Sequence, residues 1–296
     1  MTEYPHLIPE IASVMDKTDE ERMFAMGERR WIGYPLAVEI IKTLESLLIE
    51  QEKSRMPNLL ISGESNNGKT TIIEHFVKQK GIAYLDEESK SVRPIILAQS
   101  PPEANEKRLL ISILQQFLTP YRESSSAQKL TDQLIHLMKE CHVKMLIIDE
   151  IHSMLTGSAR QQSLVMNVIK GLSNQLRIPI VGVGTEKAVL MLHTDPQHSS
   201  RFDVINLPVW KMDRNFQSLL ASFERFLPLS KPSNLHKAEL ALLIHSISGG
   251  NLGNVHRLLR ECAKEAIKSG KEQIDSEIIQ SNNWVRPTKG VRSLFR

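Results

Sequence analysis

Cysteine is scarce: Cys141 and Cys262 are the only two in 296 residues. A disulfide framework or a thiolate-held metal is therefore not expected. Each lies on the apolar face of a helical pattern, where a reduced thiol packs as a small hydrophobe. The ten histidines are scattered without ligand spacing, so none is read as a metal ligand. No apolar run approaches the roughly 20 residues of a membrane span. Internal repeats and low-complexity tracts are absent as well. The first thirty residues hold Glu3, Glu10, Asp16, Asp19, Glu20 and Glu21 but no long apolar run. A secretory signal is not expected from them, and the protein is expected in the cytosol.

Strong charge of one sign is missing too, because a net charge of +3 is too small to establish a nucleic-acid partner. Its distribution says more. From Asn282 onward Arg286, Lys289, Arg292 and Arg296 stand without a single acid, whereas the first thirty residues are net acidic. Such a basic tail permits DNA binding and equally suits a solvated terminus. Hydrophobic content of 41% and charged content of 24% are those of an ordinary globular protein. A chain of this length can bury about three quarters of its unfolded surface, so one domain with an appendage is expected.

What is present is concentrated in Gly63-Glu64-Ser65-Asn66-Asn67-Gly68-Lys69-Thr70. The apolar Asn58-Leu59-Leu60-Ile61 before it reads as a strand, and the run from Thr71 to Phe76 reads as a helix. The pattern therefore sits in the strand-loop-helix setting that a phosphate-binding loop requires. Gly63 and Gly68 let the backbone turn tightly around a β-phosphate, where N–H groups and the helix N-terminus supply partial positive charge. Lys69 can reach the β- and γ-phosphates of ATP, and the Thr70 hydroxyl can ligate Mg²⁺.

In chain order, residues 1–35 form a polar extension ending in Arg29-Arg30-Trp31-Ile32-Gly33-Tyr34-Pro35, and a helix follows with Leu36, Ile40, Ile41, Leu44, Leu47 and Leu48 on one face. A second strand is expected over 94–98, then two amphipathic helices carrying Leu109 to Phe117 and Leu130 to Cys141. Met145-Leu146-Ile147-Ile148-Asp149-Glu150 is a fully apolar strand with two acids at its carboxyl end. After a helix with Val165, Val168, Ile169, Leu172 and Leu176, a fourth strand is expected over 178–185 and a fifth near 204–207. Past Asp213 only helical patterns remain. The expectation is an α/β fold with a parallel five-stranded sheet flanked by helices over 36–210, a small helical lid over 211–281 and a basic tail over 282–296.

Asp149 is expected to hold Mg²⁺ because it ends the strand expected beside the phosphate loop. Glu150 can polarise the attacking water, a role that contributes about 10² to 10⁴ in rate. Asp149-Glu150-Ile151-His152 also resembles the acidic motif of one helicase class, but too few residues follow for a second lobe, and those past Asp213 read as helical. Thr185 stands where a polar side chain can sense a γ-phosphate, or is a plain strand-end threonine. Arg201 follows the polar loop Asp195-Pro196-Gln197-His198-Ser199-Ser200 and is a candidate finger for a neighbouring subunit's nucleotide, or an interface or surface charge. Arg257, early on a helix past the sheet, can contact the γ-phosphate or face solvent. Lys107, Arg108 and Arg160 are candidate DNA-backbone contacts, although each reads first as an ordinary surface charge.

Together these landmarks resemble the AAA+ P-loop ATPases, and more narrowly the TniB/TnsC family of transposition ATPases. The specific part is connected text: Arg30-Trp31-Ile32-Gly33-Tyr34-Pro35, Arg55-Met56-Pro57-Asn58-Leu59-Leu60 running into Asn66-Asn67-Gly68-Lys69-Thr70, and Ile148-Asp149-Glu150-Ile151-His152 followed by Gly157-Ser158-Ala159-Arg160-Gln161-Gln162. Further on, Leu176 to Thr185, Asp195-Pro196-Gln197 and Ser200-Arg201-Phe202 to Leu207-Pro208 look alike too. The resemblance implies a bacterial, nucleoid-associated protein of a mobile element that forms a ring or helical filament on double-stranded DNA with ATP and Mg²⁺. It would link a TniQ-like target selector to a DDE transposase (TniA-like), and hydrolysis would disassemble the oligomer. By the same resemblance Lys69, Thr70, Asp149 and Glu150 match the nucleotide-binding and hydrolytic positions, and Arg201 matches the finger. Thr185 fits the first sensor, where many relatives use Asn, and Arg257 fits the second. Ile32 and Gly33, within Trp31 to Tyr34, would lie near the adenine. An AAA+ helicase loader or replication initiator is the alternative, and a nucleotide-binding scaffold with little turnover is a third reading.

Overall fold

The computed structural model describes residues 4–28, 30–193 and 201–281. The polar loop 194–200 and the basic tail with Arg286, Lys289, Arg292 and Arg296 lie outside the described residues, as does Arg29. The chain forms two compact units, one of residues 35–208 and one of residues 1–34 with 209–296.

The described residues of the first unit hold seven strands: β1 (Asn58–Gly63), β2 (Tyr84–Leu85), β3 (Ser91–Val92), β4 (Ile95–Gln99), β5 (Met145–Asp149), β6 (Ile180–Gly184) and β7 (Phe202–Leu207). Five make a sheet in the order β4-β5-β6-β1-β7, with every pairing parallel. The apolar runs explain this. Every residue of β1, β5 and β6 is buried, as strands covered on both faces require. On β5, Leu146 and Ile148 pack into a cluster with Leu109, Leu134 and Ile169 from the helices at 106–114, 127–140 and 159–176. Met145 and Ile147 are equally buried on the opposite face by the period-2 rule. Each such Leu or Ile contributes about 1.5–3 kcal/mol by leaving water.

The sheet order corrects one expectation. Asp149 does not end the strand beside the phosphate loop, because β6 lies between β5 and β1. A second departure is the antiparallel hairpin of β2 and β3, whose two-residue strands are too short to show a period.

In the second unit, the segment read as a polar extension forms helices at Pro9–Ala12 and Asp19–Ala25. The second opens on a capping box in which the Thr18 side chain accepts from the Glu21 N–H while Glu21 reaches back to the Thr18 N–H. Leu7, Ile11 and Met15 form a small apolar cluster beside them. Past the sheet come helices at Arg214–Glu224, Ala238–Ser248, Leu252–Lys268 and Ser276–Ser281. The longest buries Val255, Leu258, Leu259, Cys262, Ala263 and Ala266, a spacing of three and four that makes one apolar face.

Candidate nucleotide site

The phosphate loop leaves β1 at Gly63, where a Cβ would lie 2.4 Å from the Leu207 carbonyl oxygen. No other residue fits there without moving β7. Gly68 adopts φ 88° and caps the helix at Lys69–Lys80 without a side-chain hydrogen bond, so the first N–H groups of that helix face the loop. Asn67 is buried, and its Nδ2 donates to the carbonyls of Leu207 at 3.0 Å and Pro208 at 2.9 Å, fastening the loop to the end of β7. Glu64, Ser65 and Asn66 are exposed, and Thr71 continues the exposed rim.

Lys69 is buried, and its Nζ donates to the Gly63 carbonyl at 2.9 Å and the Glu64 carbonyl at 2.6 Å. Burial pulls its pKa below the ordinary lysine value, against the opposing pull of Glu150, Asp149 and Glu64. The Thr70 hydroxyl donates to Asp149 Oδ2 at 2.8 Å, so the two expected metal ligands meet although β6 separates their strands. Asp149 Oδ1 accepts the Glu150 N–H at 2.7 Å. Glu150 turns into the left-handed region at φ 54°, which ends β5 and points the chain into a short 3-10 turn at Ile151–Leu155. Ser153 secures that turn by donating its N–H and its hydroxyl to the Glu150 carbonyl at 2.9 and 2.8 Å.

Thr185 follows β6, and its hydroxyl is buried with no hydrogen-bond partner among the described residues. His152 was passed over in the sequence as a site residue. The fold sets it between Thr185 and Glu150, and its place in the same tetrad as the two acids was the available signal. Lys69, Thr70, Asp149, Glu150 and Thr185 thus converge at the carboxyl edge of the sheet, where parallel sheets place their ligands.

Arg201 is not among them. The parallel register sets Phe202 beside Asn58, so Arg201 stands at the opposite edge, a strand length of about 20 Å from the loop. There its Nη1 donates to Asn174 Oδ1 at 2.8 Å. Lys107 is half-buried, Arg108 pairs with Glu103 at 3.0 Å, and Arg160 is exposed. An Ala104 N–H to Thr156 carbonyl hydrogen bond of 2.8 Å joins the segments that lead into their two helices. Ile32, Gly33 and Arg257 belong to the other unit.

The donor set suits a magnesium nucleotide: an ammonium, helix N–H groups, the Thr70 hydroxyl beside a carboxylate, and the buried Thr185 hydroxyl, without a partner among the described residues. No described helix is long and apolar enough to cross a membrane.

No curated protein matches the chain. Among solved structures, the ORC2 protein of Aeropyrum pernix in its ADPNP-ADP complexes aligns with a TM-score of 0.62 at 19% identity, covering 86% of this chain and 70% of that one. Cdc6p of Pyrobaculum aerophilum gives 0.63 at 16% identity, over 86% of this chain and 68% of that one. The Aeropyrum pernix ORC1 protein in complex with DNA gives 0.53 at 13%, over 83% and 63%. At these identities the likeness shows the fold, that of the AAA+ P-loop ATPases. The family described as bacterial TniB protein matches residues 22–212, well over half of the sequence. That span holds the phosphate loop, Asp149, Glu150, Thr185 and Arg201, and on the extent of the match the chain belongs to the TniB family.

Proposed function

We propose that this protein hydrolyses ATP to control its own assembly on double-stranded DNA, and so regulates where a DDE transposase inserts. The observation that carries the ATPase half is the 2.8 Å hydrogen bond from Thr70 to Asp149, which brings a phosphate loop and an acidic strand end to one place. In this reading Lys69 turns from the loop carbonyls to the phosphates, and Thr70 and Asp149 hold Mg²⁺. Bound Mg²⁺ supplies positive charge against the phosphate oxygens. Glu150 orients the attacking water, and Thr185 uses its unpartnered hydroxyl as a sensor.

Arg201 serves the site of a neighbouring copy, since its own loop lies at the other edge of the sheet. An oligomer is the consequence. Arg257, Ile32 and Gly33 are proposed to contribute a second sensor and the adenine pocket, with residues 211–281 as a lid on a core of residues 36–210. Lys107, Arg108 and Arg160, from two adjacent segments, are proposed to meet the DNA backbone. Membership of the TniB family supports the transposition half, with a TniQ-like selector and a TniA-like transposase as partners and hydrolysis ending the assembly. Likeness of fold to ORC2 and Cdc6p supports a second reading as an initiator or helicase loader.

Sedimentation with duplex DNA and ATP tests the first reading. The wild type should assemble, Lys69→Ala should not, and Glu150→Gln should give longer-lived oligomers. A protein that stays monomeric on DNA with every nucleotide removes the mechanism. Binding of purified TniQ-like protein or transposase to the assembled form separates the transposition reading from the loader reading.

A further inference from the structure

The 3-10 turn after β5 is pressed onto the tip of β6. A Cβ at Gly184 would lie 3.2 Å from Ile151 Cγ2 and 3.3 Å from the His152 nitrogen, and one at Gly182 would lie 2.9 Å from Ile151 Cδ1. Two glycines on β6 therefore admit the turn, and the close fit decides where His152 sits. Its Nδ1 accepts the Thr185 N–H at 3.4 Å. An imidazole that accepts at Nδ1 carries its proton on Nε2 in the neutral form. That Nε2 lies 3.5 Å from Glu150 Oε2, within the range that a small side-chain rotation closes to a hydrogen bond. The Glu150 carboxylate is otherwise poorly held, with its side chain 43% exposed, although its backbone is fixed by Ser153.

We propose that His152 is a positioning residue for Glu150. Its Nε2–H holds one carboxylate oxygen, leaving the other to accept from the attacking water, while Nδ1 ties the ring to the tip of β6 at Thr185. The general base and the candidate sensor are then joined through one side chain, so a shift of Thr185 moves the carboxylate. This inference rests on the reading of Glu150 as the group that orients water.

The test uses the full chain with MgATP and four variants: Glu150→Gln, His152→Ala, His152→Gln and His152→Asn. Steady-state kcat and KM are measured beside the affinity for a fluorescent ATP analogue. His152→Ala should lower kcat about tenfold to a hundredfold, as expected for a misplaced reacting group, with KM and affinity within about twofold. His152→Gln keeps an N–H near the Nε2 position and should recover most of the rate. His152→Asn is too short to reach Glu150 and keeps only an acceptor for the Thr185 N–H, so it should stay slow. A wild-type kcat in His152→Ala overturns the proposal. Equal recovery by Asn and Gln also overturns it, because the ring would then serve only the Thr185 contact. Should His152→Ala fail to fold, the comparison of Gln with Asn still decides. If Glu150→Gln hydrolyses at the wild-type rate, the reading of Glu150 itself fails; if it is inactive while His152→Ala is normal, only the positioning role fails.

Discussion

The Thr70 hydroxyl donates to Asp149 Oδ2 across a sheet in which their strands are not neighbours. Two strand spacings, about 9.6 Å, separate β1 from β5. The gap closes because Thr70 stands on the helix that begins over the sheet edge and not on β1 itself.

If this pair holds Mg²⁺, Thr70→Ala should lower ATP hydrolysis about a hundredfold or more, the scale of lost metal-ion catalysis. Nucleotide affinity should fall mainly in the presence of Mg²⁺. Titrations with Mg²⁺ and with EDTA check this, and an equal loss in both would assign the hydroxyl to the phosphates instead of the metal.

The amide of Asn67 donates to two carbonyl oxygens from a nearly fully buried position. Asn67→Ala should destabilise the sheet unit by about 1–3 kcal/mol, the cost of leaving buried acceptors unsatisfied. Asn67→Asp should be worse, because a carboxylate cannot donate and would face both carbonyls as a buried charge. Urea denaturation of the two variants checks the order, and an Asp variant as stable as wild type would show that the amide does not hold the loop.

Strands β1 and β5 and the phosphate loop between β1 and its helix are legible because Leu59 to Ile61 and Met145 to Ile148 are apolar runs whose burial is written in their composition. Strand order is not written there, and that is why Asp149 was assigned the wrong neighbour. His152 is visible in the acidic tetrad, but its role is not, because its partner Thr185 lies 33 residues away and the glycines of β6 bring the two together. The N-terminal helices of four and seven residues are too short to show a hydrophobic period, so the segment reads as a polar extension.

Tyr34 carries a buried hydroxyl without a hydrogen-bond partner among the described residues, and its ring meets Trp210 edge-on at 5.0 Å. Burial pushes the phenol up to about 12. Tyr34→Phe keeps the ring contact and removes the desolvated oxygen, so the expected change is neutral or stabilising by about 1 kcal/mol. Thermal unfolding checks the sign; a clear loss would mean that the hydroxyl has a partner in the working protein.

Arg22 joins the N-terminal segment to the C-terminal helices through Glu272, at 2.9 and 2.5 Å, and through the Pro228 carbonyl at 2.7 Å. Burial raises the Glu272 pKa, but the hydrogen bonds from Arg22 and the Ser230 N–H outweigh it and hold the group below the usual 4.5. A carboxylate depressed in the folded state stabilises above the unfolded pKa and loses that contribution as pH falls through the folded one. The second unit should therefore weaken on acidification below about pH 4.5, and Glu272→Gln should flatten that dependence. Arg22→Ala leaves the partly buried Glu272 carboxylate with only the Ser230 N–H and should cost about 1–3 kcal/mol. Chemical denaturation from pH 7 down to pH 3 measures both.

Arg201 at the far edge of its own sheet makes a prediction that a residue acting within one chain cannot meet. Arg201→Ala should bind nucleotide normally and hydrolyse poorly, and Glu150→Gln should do the same for a different reason. Mixed on DNA, the two supply each other: the Arg201→Ala protomer has an intact water-orienting group, and its Glu150→Gln neighbour brings an intact arginine. Random mixing at equal amounts places an intact pair at about a quarter of the head-to-tail interfaces, so hydrolysis should recover toward a quarter of the wild-type rate. No recovery in the mixture would mean that Arg201 serves only its bond to Asn174, and the neighbour's site would need another cation.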